Sequence, residues 1–390
     1  MSDATFIARE IPASRETARR RLLLRVEVST DLARVADRWR ALAGSGKALA
    51  FQVEPWIASW YATLGRRPDY LPLAVTIVDA TNGRDLMGLP LVRRTAGGMT
   101  FIEFADCGLP DYNAPIIGAG APRDAGGARD VWRALLASLP KADVLNFAKM
   151  PREVDGVPNP LALAPGVRAS RLNGNVLEVR GEWSDWHWGL ERTFRKELER
   201  SLRVFEKNPG ARFRRIADPD EAARILRELK RLQRERIVEL GLPYVLDEPE
   251  NDRFYDELVA RGLPEGGAVL TALLAGDTVV AALLGVARGR HYAMVRLAAA
   301  GGSWRACSPG RLIIERTMMM LHREGFNAFD FTIGDYDYKR RLGARTVPLC
   351  EVEAALGWRG APFVARERAR AAIREYPRLR AIAARLRDAR

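Results

Sequence analysis

One order of secondary-structure signals occurs twice along this chain, and it constrains the fold more than any single residue does. In the first half, an apolar strand at 22–28 precedes a helix at 31–43, which Asp31 can cap, and a helix at 55–64 with Trp56 and Trp60 one turn apart on one face. Three strand-like runs follow, at 71–78, 86–93 and 99–104. Asn82-Gly83 and Gly97-Gly98 supply their hairpin turns. A helix at 128–139 and a strand at 143–147 complete the set. The second half repeats the order: strand 212–216, helices 219–240 and 251–261, strands 268–274, 279–287 and 291–297, helix 309–324, strand 328–332. A last strand lies at 348–355. Three meandering strands followed by a helix and a further strand imply a mixed sheet, antiparallel at first and parallel at the crossover. The fold class expected is therefore α/β, with an α+β mixed sheet in each of two tandem domains. Gly and Pro punctuation near 181–190 places the domains at 21–180 and 181–360, between a disordered basic arm at 1–20 and a basic helical tail at 361–390.

Two stretches of the second half carry chemistry. The first is Ser308-Pro309-Gly310-Arg311. Ser is a preferred N-cap and Pro a preferred first helical residue. Gly310 lets another group approach the backbone. The first turn of a helix offers unpartnered amides and the positive end of the dipole, which together suit a phosphate, and Arg311 can add a charge-assisted contact. An ordinary capped helix accounts for the same four residues. The second stretch runs from Phe329 to Ala344. Phe329, Phe331 and Ile333 share one face of a strand and leave Asp330 with Thr332 on the other. A carboxylate in so apolar a strand needs partners. Gly334 ends the strand. Asp335, Tyr338 and Lys339 follow, so Asp330 or Asp335 can serve as general base, Lys339 can bind negative charge and Tyr338 can donate a proton. A solvated turn with paired charges is the plainer reading.

Read together, "SPGRLIIE…GFNAFDFTIGDYDYKRRLGA" resembles the C-terminal signature of the CelD/BcsL-type acetyltransferases. These are a bacterial branch of the GNAT superfamily associated with cellulose and exopolysaccharide biosynthesis and related to the FemAB-like aminoacyltransferases. Ser308-Pro309-Gly310, Asp330-Phe331, Gly334-Asp335 and Tyr338-Lys339 carry the match. The basic helix from Arg192 to Arg203 and the pattern Trp39, Phe51, Trp56, Trp60 extend it over about residues 30–357. The resemblance implies two tandem GNAT-like domains, the second intact. It also implies a pyrophosphate site for acyl-CoA at Arg296, Ser308, Pro309, Gly310 and Arg311. The first domain lacks a Ser-Pro-Gly start before its helix near 128, so it reads as a degenerate copy shaping the acceptor cleft. The activity implied is acyl transfer, acetyl above all, from CoA to an amine or hydroxyl acceptor such as a sugar, amine or envelope precursor, with no metal. A FemAB-like transferase using aminoacyl-tRNA is the alternative, and a non-catalytic scaffold in polysaccharide export a third.

Composition narrows the partners less. The 390 residues carry 62 Lys and Arg against 49 Asp and Glu, a net charge of +13. That balance favours polyanions. Arg-rich proteins of GC-rich genomes show it without any such partner. Cys107, Cys307 and Cys350 lie far apart, as do His187, His291 and His322, which argues against a disulfide framework or a metal site. No apolar run reaches the ~18–20 residues that span a bilayer, and no secretory apolar block follows the early arginines, so the expected location is cytoplasmic. Trp183, Trp186, His187 and Trp188 read as tryptophans packed at the domain junction, or as a sugar-stacking surface. Residues 361–390 hold nine Arg against Glu367, Glu375 and Asp388. Their narrow apolar stripe suits a helix packed on the domain, a frayed tail, or a helix lying at the inner face of an anionic membrane.

Overall fold

The computed structural model describes residues 22–241, 246 and 248–375, with side chains described to Arg370. The first half comprises β1 (Leu24–Ser29), α1 (Ala36–Ser45), α2 (Trp56–Ala62), β2 (Tyr70–Asp79), β3 (Asp85–Ala96), β4 (Met99–Phe104), β5 (Ile116–Ile117), α3 (Ala125–Ser138) and β6 (Val144–Pro151). A small hairpin, β7 (Glu153–Val154) and β8 (Val157–Pro158), and a long strand, β9 (Arg168–Glu178), follow. The second half comprises α4 (Trp183–Gly189), α5 (Arg192–Glu206), β10 (Ala211–Ile216), α6 (Pro219–Glu239), α7 (Pro249–Gly262), β11 (Ala268–Ala275), β12 (Thr278–Arg288), β13 (His291–Ala299), α8 (Pro309–Arg323), β14 (Ala328–Asp330), α9 (Asp337–Arg341), β15 (Arg345–Ala355) and α10 (Gly360–Glu375). The expected mixed α/β architecture is present in both halves. The expected disordered arm and the end of the expected tail lie outside the described residues. No helix among the described residues is long and apolar enough to cross a membrane.

Three expectations need correction. Asp31 accepts from the Ala33 amide, but it caps a single 3-10 turn, and α1 starts only at Ala36. Residues 168–178, for which the sequence predicts no element, form β9. The strand expected to run through Thr332 stops at Asp330, because Thr332 takes φ +58°, a left-handed conformation in which a β-branched residue cannot continue a ladder.

The halves share one sheet, in the order β1-β2-β3-β4-β6-β15-β9-β14-β13-β12-β11-β10. Its centre exchanges strands. β15, the last strand among the described residues, pairs antiparallel with β6 of the first half, while β9 pairs antiparallel with β14 of the second. β15 and β9 pair with each other between them. Each half thus closes its sheet with the other's final strand.

Burial follows the same plan. One cluster fills the first half between α3 and its strands, and another packs α5 and α8 on the second-half strands through Phe194, Leu312 and Phe329. A third joins the halves, bringing Phe51, Trp56 and Tyr112 together with Phe254, Leu270 and Ala293. There Trp56 meets Phe254 edge to face, with ring centroids 4.9 Å apart. The tryptophans at the domain junction also pack: Trp183 and Trp186 touch at 4.3 Å in α4, and the Trp186 indole donates to the Leu342 carbonyl.

Candidate active site

β13 and β14 run parallel but pair over three residues only, His291 to Ala293 against Ala328 to Asp330. β13 continues to Ala299, with Val295 as an extra residue in its register against β12, while β14 ends. The two strands therefore part beyond Asp330. A cleft of about 530 Å³ lies between α6, the end of β13 and the start of α8, lined among others by Leu232, Glu239, Ala299, Ser308 and Gly310.

The start of α8 differs from its sequence reading in one respect. Ser308 adopts φ 44° and ψ 57°, and its side chain caps no amide. Its hydroxyl instead accepts from the Arg311 guanidinium at 3.0 Å. Arg311 also donates to Glu197 on α5 at 2.7 Å, and Arg341 grips the same carboxylate through two bonds of 3.1 Å. These arginines, Arg341 first, hold the Glu197 carboxyl below its usual range. A methyl group added at Gly310 would meet Ala299 and Leu297 at 3.8 Å, an ordinary contact. Packing therefore does not require glycine there. Arg296, assigned to the same site from sequence, lies elsewhere. It is buried, donating to Gln233 of α6 at 2.8 Å with its guanidinium 4.4 Å from the centre of the Tyr255 ring.

The first half carries the matching elements in a closed form. At the start of α3, Asp124 accepts from the amides of Gly126 and Gly127 at 2.9 and 3.0 Å, so a carboxylate of the chain occupies the anion position. β4 and β6 pair over three residues and then part. The 105–113 segment fills that gap. The Asn113 amide donates to the Lys149 carbonyl at 3.0 Å, and the Lys149 ammonium reaches the Pro110 carbonyl at 2.6 Å and Asp106 at 2.7 Å.

The same segment carries Asp111 and Tyr112 across to the end of β14. Asp330 is 3% exposed. Its Oδ1 accepts from the Tyr112 hydroxyl at 2.8 Å and the Thr332 amide at 2.7 Å. The approach of Tyr112 depends on Gly174 in β9, where a Cβ would lie 2.1 Å from the tyrosine oxygen. Next to Gly174, Asn175 donates to the carbonyls of Thr332 and Gly334. Lys339, 2% exposed, donates to the carbonyls of Thr332 and Ile333 at 3.1 and 2.7 Å. Burial pulls its ammonium down to about 8, against the opposing charges of Asp111, Asp330 and Asp335. Burial likewise pushes the Asp111 carboxyl up to about 6, while a hydrogen bond from Thr332 and the charge of Lys149 hold it back. Burial raises the Tyr338 hydroxyl to about 12; its ring stacks beside Tyr336 and meets Phe331 edge on. Asp335 stands exposed beyond Gly334.

The structure thus gathers Asp330, Lys339 and the turn between them, keeps Tyr338 nearby, and leaves Asp335 at the rim. Sequence reasoning passed over Asp111, Tyr112, Gly174 and Asn175. Pro110-Asp111-Tyr112-Asn113 was the available signal: an acid and a tyrosine beside proline, directly after the third meander strand.

Residues 192–340 match a family model described as an acetyltransferase (GNAT) domain. That span opens with α5 and closes within α9, so it leaves out the exchanged strands β9 and β15. No curated protein matches the sequence. Among solved structures, the chain is similar to a crystal structure of FemX, with a TM-score of 0.59 and 11% identity over 86% of this chain and 98% of that one. It is also similar to a conserved protein of unknown function from Bacteroides thetaiotaomicron VPI-5482, with a TM-score of 0.53 and 12% identity over 85% of this chain and 100% of that one. At such identities the likeness is one of fold, and it extends over both halves. Residues 192–340 thus carry a GNAT acetyltransferase domain, set within a mixed α/β fold that the chain shares with FemX over both halves.

Proposed function

We propose that the second half transfers an acyl group, acetyl in the simplest case, from acyl-CoA to an amine or hydroxyl acceptor. One observation carries this reading. The α8 start has no side-chain cap and faces a cleft, whereas its first-half counterpart on α3 is occupied by Asp124. Helix amides that are uncapped by side chains suit a pyrophosphate, with Ser308, Pro309, Gly310 and Arg311 around it. The first half is then a degenerate copy that closes its own gap and lends Asp111 to the other. In the transfer, the acceptor's N or O bonds to the thioester carbon, the C–S bond breaks, and the acceptor's proton passes to a base.

Asp111 is the base in this reading. Asp330 has one oxygen engaged by Tyr112 and Thr332, and Asp335 is exposed, while Asp111 is half-buried with its carboxyl near neutrality, where a general base works best. Lys339 holds the Thr332 turn and sets positive charge beside the cluster. Tyr338 keeps its proton at neutral pH and can give it to the leaving thiolate. The resemblance of the 308–344 segment to the CelD/BcsL type points to a cell-envelope or exopolysaccharide precursor as acceptor. Calorimetry with acetyl-CoA tests the donor. Micromolar to millimolar binding by the native chain is expected, and no heat at millimolar ligand would remove acyl-CoA from consideration.

The FemAB-like relation implied by the 308–344 resemblance gives a second reading, aminoacyl-tRNA as donor, with the exposed Arg192, Lys196, Arg200 and Arg203 of α5 as phosphate contacts. Filter binding of aminoacyl-tRNA that weakens steeply with salt would select it. Silence with both donors would leave a scaffold role.

A further inference from the structure

We propose that His291 is a positioning residue: through Asp330 and Tyr112 it holds the first-half segment that carries Asp111. The inference rests on the reading of Asp111 as base. Asp330 is almost wholly buried, and Oδ1 is spent on Tyr112 and on the Thr332 amide. Its second oxygen, Oδ2, lies 3.5 Å from Nε2 of His291, whose side chain is 40% exposed. A buried carboxylate with one oxygen left unmatched is costly, so a donor facing Oδ2 matters out of proportion to its length.

Register brings the two groups together. His291 opens β13 and pairs with Ala328, while Asp330 pairs with Ala293, so histidine and carboxylate lie on one diagonal of the parallel pair. Both line a cavity of about 330 Å³ at the seam of the halves, with Phe51, Tyr112 and Asp155 from the first half.

The charged neighbours of that cavity have other engagements. Arg288, opposite His291 on β12, donates to the Ala48 and Ala43 carbonyls. Arg290 donates to the Gly325 carbonyl. Asp155 pairs with Lys47 at 3.1 Å and lies 3.9 Å from Arg288. This leaves His291 as the group set to serve Asp330 from the cavity side. Nε2 of His291 faces Oδ2 at ion-pair distance and turns a donor position toward it. The carboxylate then remains an acceptor for Tyr112, and the segment 105–113 stays docked on β14. Without that contact Asp330 turns toward cavity water, and its bond to Tyr112 weakens.

Amide hydrogen exchange across 105–113 tests the contact on the full chain, without any donor or acceptor substrate. His291→Ala should speed exchange there about tenfold at pH 7, the factor carried by one hydrogen bond to a charged group. Exchange in α8 and the affinity for acetyl-CoA should not move. His291→Gln, which keeps a side-chain N–H, should return exchange toward the native rate, and Tyr112→Phe should match His291→Ala. With a working assay, His291→Ala should lower kcat and leave KM for acyl-CoA unchanged. Native exchange at 105–113 in His291→Ala would overturn the proposal, as would a Gln variant exchanging as fast as the Ala variant. The predicted exchange pattern in a chain that binds no acetyl-CoA would keep the His291 contact and remove the donor reading instead.

Discussion

Asp111 combines three properties at one residue: a half-buried position, a carboxyl near neutrality and a place beside Asp330 and Lys339. Transfer should therefore rise with pH through an apparent value of about 6, a value belonging to the coupled cluster. Asp111→Asn should remove that limb and lower turnover by ~10²–10⁴-fold. The linkage runs in the opposite sense. The folded carboxyl binds its proton more tightly than the unfolded one, so its stabilising contribution is present in acid and is lost as pH rises through about 6. Asp111→Asn should thus flatten the fall in melting temperature between about pH 4 and 6, read by calorimetry. If the variant kept the native pH–rate profile, Asp111 would not be the base. Gly310 supplies a second test. An Ala methyl fits the free site, so Gly310→Ala should fold normally and lose acetyl-CoA affinity, and Gly310→Asp should lose more. Unchanged affinity in both would move the phosphates away from α8. Gly310 stood out in the sequence because Ser-Pro-Gly is a local motif. Asp111 did not, because its burial comes from strands distant in the chain.

Helices α3 and α8 occupy equivalent places, and their first turns separate a closed site from an open one. Asp124 accepts two amides of α3. Asp124→Ala should cost about 1 kcal/mol in stability, as lost N-caps do, and leave acetyl-CoA binding intact. A fall in affinity would mean that the first half also holds the donor. The element order of both halves was readable because alternation and hairpin glycines are short-range signals. The details at α8 were not. Ser308 follows the composition rule for a cap, yet its left-handed backbone turns the hydroxyl to Arg311, and no local pattern encodes that choice. β9 was invisible for a related reason. Its sequence, RASRLNGNVLE, has little apolar alternation, since most of its length pairs with β15 and only 174–177 is buried.

At the scale of the whole molecule, the exchange of β9 and β15 makes each half depend on the other. Duplication was legible in the sequence, but two separate sheets and one shared sheet predict the same element order, so the exchange was not. The cluster around Trp56 and Phe254 buries the seam as deeply as either half buries its own core. Two consequences follow. Calorimetry of the full chain should give one unfolding transition with matching calorimetric and van't Hoff enthalpies, not one transition per half. Gly174→Val should act across the seam, because its Cβ would occupy the position of the Tyr112 hydroxyl. Displacing Tyr112 strips a partner from buried Asp330 and unseats the 105–113 segment. The expected result is a loss of ~1–3 kcal/mol, the range for a buried polar group deprived of its partner. It should come with faster exchange in 105–113, although the substitution lies in β9. Two resolved transitions, with Gly174→Val lowering only the one assigned to the first half, would show instead that the halves fold as separate units and that the shared sheet is only a docking of two finished domains.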